Sequence, residues 1–286
     1  MDTEKCRILL ETISRGSMTK AADSLGYTPS GVVRAIKSLE QETGFPLLTR
    51  NSKGVALTKE GEKLLPVLRE MMHWEKQYRD LSDSIRGLET GELSVGSYFS
   101  VAYHFMPAII SSFQEKYPGI SIHLVEEGNK ELRRKLSAHE LDCAIISRQT
   151  YEGPWIPLFK DELLVWLPEN HPLAKAESFP IRQLEKENFI NELPGKGTDS
   201  EWLFEKEKLK LHVKFSTTDD YTCYKMVEAG LGISLNNALT SAFWPGRVAK
   251  VPLDPPQYLE LGIAVPDRMS PALSRFIDYV VKVMRK

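Results

Sequence analysis

Cysteine is scarce: three in 286 residues, at positions 6, 143 and 223. No C-x-x-C spacing links them, which argues against a disulfide framework or a thiolate zinc site and for buried, reduced thiols. The six histidines are scattered, with no H-E-x-x-H pair and no Cys/His cluster at ligand spacing, so neither metal nor cofactor is expected. A G-x-S-x-G elbow and a phosphate-binding G-x-x-x-x-G-K-[ST] loop are also missing, and Gly195-Lys196-Gly197 lies too deep in the chain for a dinucleotide fingerprint. An enzyme is therefore not expected. No apolar run approaches bilayer length, and the N-terminal MDTEKCRILLETISRGS mixes charges into a short amphipathic helix rather than a signal sequence. These absences point to a cytoplasmic protein with no membrane partner. A net charge of −2 gives no overall pull toward nucleic acid, so any DNA-binding field must be local.

One segment supplies such a field. Ser17 is placed to cap a short helix, TKAADSL, whose Ala21, Ala22 and Leu25 share one face, and Gly26 ends it because glycine takes a positive φ cheaply. Thr28 then caps a second helix with Pro29 at its first position, where no N–H is needed. Val32, Ile36 and Leu39 recur at steps of four and three and turn inward, leaving Ser30, Val33, Arg34 and Lys37 on the opposite face. A short docked helix with outward Arg and Lys fits a DNA major groove. The LLTRNSKGVALT run reads as a hairpin wing with its turn at residues 51–54, where Arg50 and Lys53 would meet phosphates.

The quoted stretches GSMTKAADSLG, VVRAIKSLE, FPLLTR and LTKEG together resemble the N-terminal domain of LysR-type transcriptional regulators. The family usually writes the recognition turn Ser-Gln-Pro-Ala-Val-Ser-Arg, whereas this chain has Thr28-Pro29-Ser30-Gly31-Val32-Val33-Arg34. The resemblance implies operator reading through Thr28, Ser30, Val33 and Arg34, with Lys37, Arg50 and Lys53 on phosphates.

Three domains are expected: a winged helix-turn-helix over 1–58, an all-α linker and dimerisation helix over 59–89, and a two-lobed α/β effector-binding domain over 90–286. Along the linker, Leu64, Leu68, Met71, Trp74, Tyr78, Leu81, Ile85 and Leu88 recur at three- and four-residue steps, with Pro66 expected to kink or loosen a turn. A stripe this long calls for a partner helix, most simply that of a second copy. Beyond residue 90, strand-like LSVGS, ISIHLVE and LDCAIIS alternate with amphipathic stretches. A second set, ELLVWLP, ENFIN and LHVKFS, follows, which predicts parallel sheets with crossover helices in two lobes. FQEKYPGI, ENHPLA and VEAGLGIS resemble the same family's effector domain, itself similar to periplasmic solute-binding proteins; Asn236-Asn237 stands where the family often has Leu-Pro.

Ligands in open α/β sheets bind beyond strand carboxyl ends, at helix N-termini. Alignment with the family pattern makes Ser100, Asn129, Ser147, Thr198, Thr218 and Asp219 the expected effector residues, and free N–H groups there favour a small anion, a carboxylate above all. The resemblance further implies double-stranded DNA with a partly palindromic operator, a homodimer or tetramer, and RNA polymerase as partners. The alternative is a ligand- or partner-binding protein whose N-terminal helical hairpin mediates assembly.

Overall fold

The computed structural model describes residues 2–51, 54–149, 151–192, 194–195 and 197–284, with backbone alone for Arg50 and Asn51. The chain divides into two compact units, one built on residues up to Leu88 and the other on nearly all of the rest.

In the N-terminal unit, α1 (Thr3–Arg15), α2 (Met18–Leu25) and α3 (Pro29–Thr43) start at side-chain caps and stop at glycines. Ser17 accepts from the Lys20 N–H and Thr28 from the Gly31 N–H at 3.1 Å. Gly26, at φ 71°, makes the turn between α2 and α3 in the left-handed region that a Cβ disfavours. Ile8, Ala22, Val32 and Ile36 form one apolar cluster, and Cys6, Leu9, Leu39, Leu47 and Leu68 another. The wing pairs β1 (Leu48–Asn51) with β2 (Gly54–Leu57), Leu48 opposite Leu57 and Asn51 opposite Gly54. The Val55 N–H donates to the Gly16 carbonyl at 3.0 Å, which ties the wing to the α1–α2 turn.

Helix α4 (Lys59–Ile85) is capped by Thr58. Gly61 is required there, since a Cβ would lie 2.5 Å from the Leu47 carbonyl oxygen. The helix continues through Pro66, which is exposed, so the carbonyl it leaves without a partner faces water. The apolar stripe divides in two. Leu64, Leu68 and Met72 pack onto the N-terminal core, and Leu68 is 1% exposed. Trp74, Tyr78, Leu81 and Ile85 are 48 to 79% exposed.

The second unit runs β3 (Gly91–Ser97), α5 (Phe99–His104), α6 (Met106–Lys116), β4 (Ile120–Glu126), α7 (Asn129–Ser137), β5 (Cys143–Ser147) and β6 (Trp155–Pro168). Next come β7 (Phe179–Pro180), β8 (Asn188–Glu192), α8 (Asp199–Glu207), β9 (His212–Thr217), α9 (Asp220–Glu228) and β10 (Ser234–Asn237). It closes with β11 (Val248–Asp254), β12 (Tyr258–Ala264) and α10 (Pro271–Met284). The expected parallel pairing holds for β4-β3-β5 and for β8-β9. The rest of the large sheet is antiparallel except at its edge: β12 pairs with β5 and β6, β10 and β11 pair with β6, and the two-residue β7 runs parallel to β11. The reason is that β6 and β12 serve both lobes. Leu158 and Leu261 lie in the core of the first lobe with Val95, Phe113 and Phe276, whereas Leu163 and Leu259 lie in that of the second with Phe179, Phe189 and Leu203. Both strands thus change core within a few residues, where Lys160, Asp161 and Glu162 pair with Glu260, Leu259 and Tyr258. No described helix is long and apolar enough to cross a membrane.

Candidate DNA-binding face and interlobe site

Burial of Val32, Ile36 and Leu39 fixes the rotation of α3 about its axis, and so decides what its other face presents. Thr28, Ser30, Arg34 and Lys37 are exposed there and Val33 is half-buried. Thr28 and Ser30 share a hydrogen bond between hydroxyls at 3.2 Å. Three other cations of this unit are paired: Lys5 with Glu42, Arg7 with Glu4, and Arg15 with Glu11. Arg34 and Lys37 make no hydrogen bond or ion pair among the described residues, so their donors stay available to an outside anion. Of the wing residues expected to join them, Lys53 and the side chain of Arg50 lie outside what is described.

In the second unit, four of the six expected effector residues are buried at the junction of the lobes: Ser100, Asn129, Ser147 and Thr198. Three of them belong to the first lobe. Asn129 opens α7 and Ser147 ends β5. The Ser147 N–H donates to Asn129 Oδ1 at 3.1 Å, and Asn129 Nδ2 donates to Ser147 Oγ at 2.9 Å. What faces them is a carboxylate of the second lobe, that of Asp199, the first residue of α8. Ser147 Oγ donates to Asp199 Oδ1 at 2.5 Å and Asn129 Nδ2 to Oδ2 at 3.2 Å, while Gln149 Nε2 and the Tyr98 hydroxyl add two further donors. Asp199 is 1% exposed. Burial raises its carboxyl above the usual range and the four donors pull it back.

A second knot lies beside it. Asn237 Nδ2 donates to Ser100 Oγ at 3.1 Å in the first lobe and to Asp161 Oδ2 at 2.5 Å on the crossing strand. The Thr240 hydroxyl donates to both Asn236 and Asn237, and Asn236 Nδ2 donates to Glu192 Oε2 at 2.8 Å. Glu192 in turn meets Asp220. Burial, then the charge of Asp220, pushes Glu192 well above the usual carboxylate range; burial, then the charges of Asp219 and Glu126, raises Asp220 to about 6. Between the knots remains a cavity of about 10 Å³, walled by Tyr98, Glu192, Thr198, Asp199, Asn236 and Asn237. That is about the room one water needs. The cleft is closed.

The remaining expectations fare differently. Thr198 caps α8, accepting from the Glu201 N–H, while the Glu201 carboxylate takes the N–H groups of Gly195 and Gly197 at 2.7 and 3.0 Å. The donors read as an anion site are thus already occupied from within the chain. Thr218 and Asp219 are exposed, and Asp219 serves as the cap of α9 by accepting from the Thr222 N–H at 2.7 Å. The next residue, Asp220, is the one that reaches the junction. Among the described residues no group of three or more His, Cys, Asp or Glu is placed to hold a metal ion.

Two family models match the chain: "Bacterial regulatory helix-turn-helix protein, lysR family" over residues 3–62, and "LysR substrate binding domain" over 86–285. The chain belongs to the LysR family of transcriptional regulators. Its relatives include the HTH-type transcriptional regulator YybE of Bacillus subtilis, 32% identical over 92% of this chain and 92% of its own. Another, YvbU of the same organism, is 28% identical over 96% and 95%. In fold, full-length OxyR C199D from Pseudomonas aeruginosa matches with a TM-score of 0.77 at 23% identity, covering 100% of this chain and 95% of that one. CbnR complexed with its target DNA matches at 0.67 with 19% identity over 99% of each. The LysR family comprises transcriptional regulators, and this chain carries both its DNA-binding and its effector-binding domain. Within that frame, sequence reasoning missed Asp199, Glu192, Asp220 and Asp161. The signal available for them was the unusual Asn236-Asn237 pair, whose amides need acceptors, and the Thr198-Asp199 step at the start of α8.

Proposed function

We propose that this LysR-family regulator reads a partly palindromic operator with α3, and that a small molecule held between the lobes of its second unit sets its activity. The observation that carries the first half is the exposed face of α3, where Arg34 and Lys37 have no partner among the described residues and stand on the same face as the Thr28 and Ser30 hydroxyls. Arg34 is suited to a guanine edge, and Thr28 and Ser30 to base edges or nearby phosphates. Lys37, with Arg50 and Lys53 of the wing, would hold phosphates and set the register. Two copies are joined through the exposed half of α4, which places two readers on one DNA face in the cytoplasm, where RNA polymerase is the protein's further partner.

The second half rests on the closed junction. An effector needs more room than about 10 Å³, so binding must part the lobes, and it gains only by its preference for one lobe arrangement. Glu192, Asp199 and Asp220 already bring carboxyl groups to the junction, so an anionic effector gains a place there only by taking over donors that one of these groups now occupies.

Capture of fragmented genomic DNA at physiological salt, with wild type and Arg34→Ala in parallel, tests the operator reading. Wild type should enrich a few fragments, and Arg34→Ala should bind those about 1–3 kcal/mol more weakly, roughly 5- to 150-fold. Equal affinity of both proteins for the enriched fragments would remove Arg34 from the interface. A common unspecific smear would favour the assembly reading of the helical hairpin.

A further inference from the structure

Tyr98, Asn129, Ser147 and Gln149, all in the first lobe, converge their donors on one carboxylate. Side chains of this kind, neutral donors in a buried pocket, are what the recognition of a free carboxylate needs. The carboxylate they hold belongs to the opposite lobe. We infer that Asp199 is a tethered ligand of the first lobe: its carboxylate fills a carboxylate subsite made by Tyr98, Asn129, Ser147 and Gln149, holds the cleft closed in the absence of effector, and competes with any carboxylate that enters. This deepens the effector reading above and rests on it.

Three observations support the inference independently of the family. The contacts join the lobes and are not internal to α8, whose own N-terminus is capped by Thr198 and neutralised by Glu201. Asp199 is therefore not needed as the cap of its helix. The donors are satisfied, with Tyr98, Asn129 and Ser147 buried and Gln149 half-buried, so parting the lobes leaves four of them, and the Asp199 carboxylate, to be resolvated or re-paired. Finally, the cavity beside Asp199, of about 10 Å³, has no room for a second anion. A free carboxylate can only replace it. Such a ligand sees the fraction of molecules in which Asp199 has withdrawn, and its apparent affinity falls by that fraction.

Removing the Asp199 carboxylate should therefore open the subsite to the smallest molecule that carries the same group. Formate is the probe. Full-length wild type, Asp199→Ala and Asp199→Asn are melted in increasing sodium formate, with sodium chloride at matched ionic strength as the control. Asp199→Ala should gain a saturable, formate-specific rise in Tm. Its apparent affinity for formate should exceed that of wild type by about tenfold or more, the factor expected when a competent state populated at ~10% or less becomes dominant. Asp199→Asn keeps the size and one acceptor oxygen, so it folds with the site still filled and should respond no more than wild type. The same formate response in all three proteins, or none specific to formate in a folded Asp199→Ala, overturns the inference. Because the readout is ligand-linked melting and not transcription, it stands apart from the operator experiment. An intact operator response with no formate effect refutes the tethered ligand alone.

Discussion

Replacing Asp220 by asparagine should make the protein more stable, and more so as pH rises. Asp220 opens α9 beside Glu192, and burial with the nearby carboxylates raises its pKa from 3.8 to about 6. In the unfolded chain the proton leaves near the ordinary value, so between about pH 4 and pH 6 the native state binds more protons than the unfolded one. Stability due to this group is therefore full below the unfolded value and falls as pH rises through the folded one. A difference of that size corresponds to about 3 kcal/mol, of which about half is lost by pH 5 and nearly all by pH 7. An asparagine side chain at this position cannot ionise, and its amide offers Glu192 a donor in place of a like charge. In thermal melts at constant ionic strength, Asp220→Asn should match wild type near pH 4 and exceed it by roughly 6–12 °C at pH 7.5, given about 2–4 °C per kcal/mol for a unit of this size. An offset that does not change with pH, or a variant less stable than wild type at pH 7.5, would show that the pair is held by something other than a shared proton.

Two further outcomes follow from α4. Leu68→Ala removes a side chain that is 1% exposed among Cys6, Leu9, Leu39 and Leu47, and should destabilise the N-terminal unit by about 2–5 kcal/mol in a denaturant titration. Replacing Tyr78 and Ile85, 73 and 79% exposed, by Ser should leave that stability within about 0.5 kcal/mol while shifting sedimentation toward monomer; unchanged mass would place the copy-to-copy contact elsewhere.

The N-terminal unit was legible almost residue by residue, because its signals are local: Ser17 and Thr28 as caps, Gly26 as the left-handed turn, and Val32, Ile36 and Leu39 at helical spacing. The linker was half legible. Its stripe was visible, but Met72 rather than the expected Met71 packs on the core with Leu68, and spacing did not show that Tyr78 and Ile85 stay outside, since it says nothing of how far a small domain's core extends. In the second unit the parallel sets β4-β3-β5 and β8-β9 announced themselves by alternation with helices. Strand β11 did not, because Pro252 interrupts its pattern, and it pairs only with the antiparallel β6 and the two-residue β7. The helix N-termini of the junction were found by rule, yet their occupants were not. That Asp199, from a segment seventy residues beyond Asn129, would fill the donor set is a fact of tertiary closure that no local pattern carries.

The lobes are connected where β6 and β12 lie side by side, hydrogen-bonded to each other through the crossing. A joint of that kind resists stretching and shear but yields to torsion, as a ribbon does. Opening of the kind proposed would then be confined to nearly one coordinate, a twist about the pair, and the contacts across the junction would rise and fall together with it. A single distance between labels, one on each lobe, would then report the whole state of the domain. Any two ligands that hold the same angle would be indistinguishable to the DNA-binding half, however different their chemistry.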